Sequence, residues 1–98
     1  MKEVKRFGDL GFKFDDVNEW VAFKDLVGRE IVVLDYLIAN GDFGQYAIIK
    51  FAEEENGEVK ATTTGGKVVM DKLQKAKEMN ILPLVGKVVK KKNWYDLV

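Results

Sequence analysis

The side chains that most often carry reaction chemistry are scarce in this sequence. There is no cysteine and no histidine, which removes disulfides, thiol nucleophiles, the usual zinc sites and imidazole acid–base catalysis together. Asp42-Phe43-Gly44 spells the metal-binding triplet of protein kinases, but 98 residues cannot hold a kinase, and no Gly-rich nucleotide loop or catalytic-loop motif accompanies it. It reads as a turn. Gly65-Gly66-Lys67 resembles the end of a phosphate loop, yet Ala61 stands where that pattern opens with glycine, and Val68 where Ser or Thr must hold magnesium. Glu53, Glu54 and Glu55 are consecutive, and successive side chains of extended chain point to opposite faces, so the three carboxylates cannot converge; they read as a solvated turn. Lys60-Ala61-Thr62-Thr63-Thr64 supplies no base for a threonine nucleophile. The expectation is a protein that is not an enzyme and uses neither cofactor nor metal.

What remains is aromatic and basic. Unpaired polynucleotides are bound by flat side chains that stack on bases and by cations that follow the phosphates. The candidate rings are Tyr36, Phe43, Tyr46, Trp94 and Tyr95; the candidate cations are Lys50, Lys60, Lys90, Lys91 and Lys92. Lys90-Lys91-Lys92 runs almost directly into Trp94-Tyr95, which makes residues 90–95 the densest combination. For this chemistry the rings and the ammonium groups must line one trough.

The elements that would position these groups follow from the apolar periods. Residues 30–39 are long, β-branched and free of Pro and Gly, residues 40–44 are a turn cluster, and 45–52 read as a second strand, making a hairpin. Asn56-Gly57 is a strong turn signal, because both residues tolerate positive φ, and a third strand returns over 58–64. The period then changes: Val69, Leu73 and Ala76 fall at i, i+4 and i+7, which predicts a helix over 66–79. Leu82-Pro83-Leu84 restarts extended chain, 85–92 reads as a fourth strand and 94–98 as a short fifth.

Upstream, Phe12 and Phe14 alternate as in a short strand. Asp16-Val17-Asn18-Glu19 matches a capping box ahead of Val17, Trp20 and Val21 at helical spacing, which predicts a helix over 16–24. Residues 1–28 are thus expected to be an extension that packs on a domain spanning 29–98, the alternative being an arm that contacts a partner. A meander of three strands, a helix and a final hairpin is the order of a mainly β, five-stranded OB-fold barrel, in which closure removes the sheet edges and the helix plugs the bottom. In such a barrel the loops after strands one and four flank a common groove floored by strands two and three. The competing topology is a small α+β sheet with the helix across one face.

Hydrophobic residues make up 47% of the chain and charged residues 33%, enough for one core and a soluble surface. No run approaches the length of a membrane span and the N-terminus lacks the apolar stretch of a signal peptide, so a cytoplasmic location is expected. The formal net charge of zero conceals a division. Residues 1–57 hold 7 Lys/Arg against 12 Asp/Glu, whereas residues 58–98 hold 9 against 4, so a basic face can coexist with a neutral total.

Asp25-Leu26-Val27-Gly28-Arg29-Glu30 leading into Val33-Leu34-Asp35-Tyr36, then Gly41 to Ile49, then Leu82-Pro83-Leu84 and the lysine-rich hairpin ending in Trp94-Tyr95, resembles the small OB-fold single-stranded DNA-binding proteins of phages and related elements. The resemblance covers roughly residues 25–98 and implies handling of single-stranded DNA in replication or recombination, with RNA as the alternative ligand. The chain departs from that pattern in lacking an acidic tail after Asp96-Leu97-Val98, and in having only Arg6 and Arg29 as arginines. With lysine as the cation, binding should be salt-sensitive and show little base preference. The rival expectation is a protein-interaction module; a second copy of the chain is a further candidate partner.

Overall fold

The computed structural model describes residues 16–54 and 57–98. The strand expected at Phe12–Phe14 and the centre of the turn at 53–57 lie outside the described residues. Eight elements follow in order: β1 (Glu19–Trp20), a 3-10 helix (Phe23–Leu26), β2 (Glu30–Gly41), β3 (Gly44–Ala52), β4 (Lys60–Thr64), α1 (Lys67–Glu78), β5 (Leu84–Lys90) and β6 (Tyr95–Leu97). The six strands form one sheet in the order β1-β4-β3-β2-β5-β6, mixed because β1 runs parallel to β4 while the other neighbours are antiparallel.

β2 shows how the sequence chooses its faces. Ile31 and Val33 point into the core, and strict alternation would send Tyr36 to the opposite side. A bulge between Val33 and Asp35 leaves Leu34 unpaired in the register, so Tyr36 and Ile38 join Ile31 and Val33 on the inner face. β3 supplies Ala47, Ile49 and Phe51 to the same core, and α1 covers it with Val69, Met70 and Leu73. Thr62 pairs in register with Ile49 and is fully buried, yet its hydroxyl has no hydrogen-bond partner among the described residues.

The barrel expected from the sequence is not closed. The edge of β4 that closure would use carries β1 instead, anchored by Asn18 N–H to Val59 C=O and Val21 N–H to Ala61 C=O, both 2.8 Å. Among the described residues β6 therefore pairs only with β5. Its outer edge is capped by side chains: Leu97 N–H donates to Asp96 Oδ1 (2.8 Å), and Leu97 C=O accepts from Lys72 Nζ (2.9 Å). Lys72 also forms an ion pair with Asp96 at 2.6 Å. Both edges are blunted, one by a short added strand and the other by a clamp from α1.

The helix expected over 16–24 is absent: this segment is mostly extended, with β1 and a single 3-10 turn. A capping box and three apolar residues at helical spacing are weak local preferences, overridden by the backbone hydrogen bonds that the β4 edge offers. The described part of the extension, from Asp16, is thus woven into the sheet rather than laid over a barrel end. No helix among the described residues is long and apolar enough to cross a membrane.

Candidate nucleic-acid interface

The ten candidate residues fall into five separate places. Tyr36 is in the core, only 6% exposed. Burial, then the charges of Asp35 and Glu78, push its phenol pKa up, and the Lys77 ammonium lies 5.4 Å from its ring centroid. It cannot stack on a base, and the bulge at Leu34 is the reason. Tyr95 is also a packing residue: it is half-buried, meets Phe23 edge to face at 5.5 Å, and lies against the core.

On the outer face, opposite the core, register and alternation place Tyr46, Ile48 and Lys50 of β3 beside Ala61 of β4 and Trp20 of β1. Tyr46 is half-buried, its ring beside Gly41, where an added Cβ would sit 3.1 Å from it. Lys50 is mostly covered and held by Asp16 at 2.8 Å. Lys60 pairs with Phe51 in register, so it projects to the other face. There it bonds Glu53 at 3.1 Å, which also takes Arg29 at 2.6 Å, with Glu19 at 3.9 Å. Hydrogen bonds from Lys60 and Arg29 hold the Glu53 carboxyl below its usual range, and the bond to Glu53 raises the Lys60 pKa. Lys50 and Lys60 are therefore neutralised on opposite faces and do not floor a common groove.

The two loops expected to flank that groove lie beyond opposite ends of β2. Gly41 and Gly44 close the β2–β3 hairpin at one end, while β5 pairs Lys87 with Glu30 at the other and continues outward to its own turn. About 35 Å of strand separates them, at roughly 3.3 Å per residue, within a molecule whose long axis is 45 Å. Phe43, at the first tip, is completely exposed.

At the second tip the sequence pattern survives. Lys91 N–H donates to Trp94 C=O at 2.8 Å, closing a tight turn. Lys90, Lys91, Lys92 and Trp94 are all exposed, Trp94 at 43%. None of the three lysines makes an ion pair among the described residues. Beneath this turn Asp96 is only 7% exposed. The hydrogen bond from Lys72 holds its carboxyl below the usual range; burial opposes this, and the Leu97 N–H and the charges of Lys72 and Lys91 support it.

Trp20, expected on a helix that could contact a partner, lies instead in β1 on the outer face, and sequence reasoning did not single out the Lys72–Asp96 clamp. A carboxylate in the short apolar strand Tyr95-Asp96-Leu97 is the signal for the clamp, because a carboxylate buried there needs a cation. Between α1 and β5 an apolar groove of about 120 Å³ is lined by residues including Val33, Leu73, Leu82, Leu84 and Leu97. Among the described residues no three His, Cys, Asp or Glu side chains are grouped to hold a metal ion.

No curated protein and no solved structure matches this chain. A family model described as a domain of unknown function, DUF8468, matches residues 18–98, which takes in β1, the whole of the rest of the sheet and α1. The chain belongs to the DUF8468 family.

Proposed function

We propose that the protein is a non-enzymatic single-stranded DNA-binding protein whose contact surface is the β5–β6 hairpin rather than a groove across the sheet. The observation that carries this reading is the combination of three exposed lysines, none in an ion pair among the described residues, with a half-exposed Trp94 on one tight turn. Three ammonium groups can follow successive phosphates while the indole takes a base on its face. The order β4-β3-β2-β5-β6 with a helix between β4 and β5 supports reading the sheet as an OB-type barrel left open, a scaffold suited to oligonucleotides. A short contact of this kind should be weak, with little base preference, and RNA should bind comparably.

The test is anisotropy of a fluorescein-labelled oligo(dT) at low salt. Binding by the wild type, weakened by about 1–3 kcal/mol in Trp94→Ala and unchanged in Tyr36→Phe, supports the reading. No binding, or binding indifferent to Trp94, overturns it. A protein-interaction module is the second reading, favoured by the apolar groove beside exposed Leu84 and Val85; it predicts no response to oligonucleotides at any salt.

A further inference from the structure

The β2–β3 hairpin reaches past its neighbours. β4 leaves β3 at the Ala47–Thr64 pair, and β5 leaves β2 at the Val33–Leu84 pair. Beyond Val33 the second edge of β2 has no strand beside it among the described residues. The two-residue loop Asp42-Phe43 is closed by Gly41 and Gly44, which in a hairpin exchange hydrogen bonds. By alternation, Ala39 and Leu37 also bond to β3, while Ile38 and Asn40 turn their N–H and C=O groups to the open edge. Tyr36 N–H faces that edge too, but is already capped by Asp35 Oδ1 at 2.8 Å; the bare stretch starts at its carbonyl.

Beyond the Asp35 cap, nothing among the described residues protects this edge. From Tyr36 to Gly41 it carries no charge, no lysine and no proline, whereas the β6 edge is clamped by Lys72 and Asp96. It is also self-complementary. Laid antiparallel against a second copy with Ile38 opposite Ile38, the Ile38 groups bond each other across a two-fold axis, and Asn40 N–H of each copy meets the Tyr36 carbonyl of the other. No like charges oppose one another, since Asp35 then falls opposite Gly41. The same register carries the fully exposed Phe43 of one copy to the level of Val33 in the other, where the apolar groove lined by Val33, Leu82 and Leu84 opens.

We infer that the β2–β3 arm is a homodimer interface, in which the bare β2 edges of two copies pair antiparallel and each Phe43 packs toward the groove of its partner. The contact is isologous and closed, so it ends at two copies and does not propagate. Two rings of about 150–250 Å² each supply roughly a quarter of the 1,200–2,000 Å² of a stable interface, the paired arms supplying the rest. A dissociation constant in the micromolar range is the expected scale.

Sedimentation velocity of the full chain across about 1 µM to 1 mM tests this. The mass should rise from monomer to dimer and stop there. Asn40→Lys places a charge on the bare edge and Phe43→Ser removes the ring; both positions are exposed, and each variant, with unchanged circular dichroism, should raise the dissociation constant at least tenfold. An intermolecular nuclear Overhauser effect between Ile38 protons in mixed-label dimer should accompany association. A chain monomeric throughout, a dimer equally stable in both variants, or assembly beyond two copies overturns the inference. Dimerisation at the arm and DNA binding at the opposite tip are read separately, so either can fail without the other.

Discussion

Lys72→Met removes an ammonium and keeps the apolar stem, so it isolates the clamp that joins α1 to the last strand. In the folded protein Lys72 Nζ lies 2.6 Å from Asp96 Oδ1 and 2.9 Å from Leu97 C=O. The variant leaves a carboxylate that is 7% exposed without its cation, and an edge carbonyl without its donor. Charge-assisted hydrogen bonds contribute about 1.5–3 kcal/mol, but the Lys72 side chain is 47% exposed, so water replaces part of what is removed and screening reduces the ion pair. The net loss should be about 1–2 kcal/mol, a fall in Tm of roughly 5–12 °C for a domain of this size, with faster amide exchange at Leu97.

The pH dependence gives an independent check. The folded pKa of Asp96 lies below its unfolded value, chiefly through the Lys72 hydrogen bond, so its contribution is complete above the unfolded pKa and disappears as pH falls through the folded one. Wild type and Lys72→Met should therefore differ fully at pH 7 and less in melts taken well below about pH 4, where only the Lys72–Leu97 carbonyl bond is left to separate them. An unchanged Tm and unchanged Leu97 exchange at pH 7, or a gap as wide at low pH as at pH 7, would refute the clamp.

Two further substitutions probe the interior and the arm. Thr62→Val replaces a buried hydroxyl that has no hydrogen-bond partner among the described residues by a methyl of similar size, and should raise stability by about 1–2 kcal/mol in a urea melt; a loss would show that the hydroxyl is satisfied. Gly44→Ala meets no atom within 4 Å but must adopt φ of +116°, so backbone strain alone should cost about 1–2 kcal/mol, seen as a lower urea midpoint with unchanged slope.

The elements were legible because their periods are local. The helix expected over 66–79 is observed at Lys67–Glu78, and the strand expected over 45–52 at Gly44–Ala52. What failed was long-range. Nothing in Val33-Leu34-Asp35 announces a bulge, yet that one extra residue turns Tyr36 from a surface ring into a core residue. Sheet closure was misjudged because two residues of β1 and one lysine of α1 compete for the edges that a barrel would join. Of the candidate site, only the Lys90–Trp94 run could be read from sequence, since neighbours on one tight turn stay together whatever the topology. Lys50 and Lys60, ten residues apart, depended on a register that puts them on opposite faces.

The salt dependence of oligo(dT) affinity asks most directly whether the β5–β6 hairpin carries the binding. Three lysines on phosphates predict a slope of about −2 in log K against log salt, a loss of roughly 20-fold between 50 and 200 mM. Replacing Lys90, Lys91 and Lys92 together by alanine should flatten that slope, while Lys50→Ala and Lys60→Ala leave it unchanged. A slope that survives the triple replacement, or one that collapses with Lys50 or Lys60, would contradict the account.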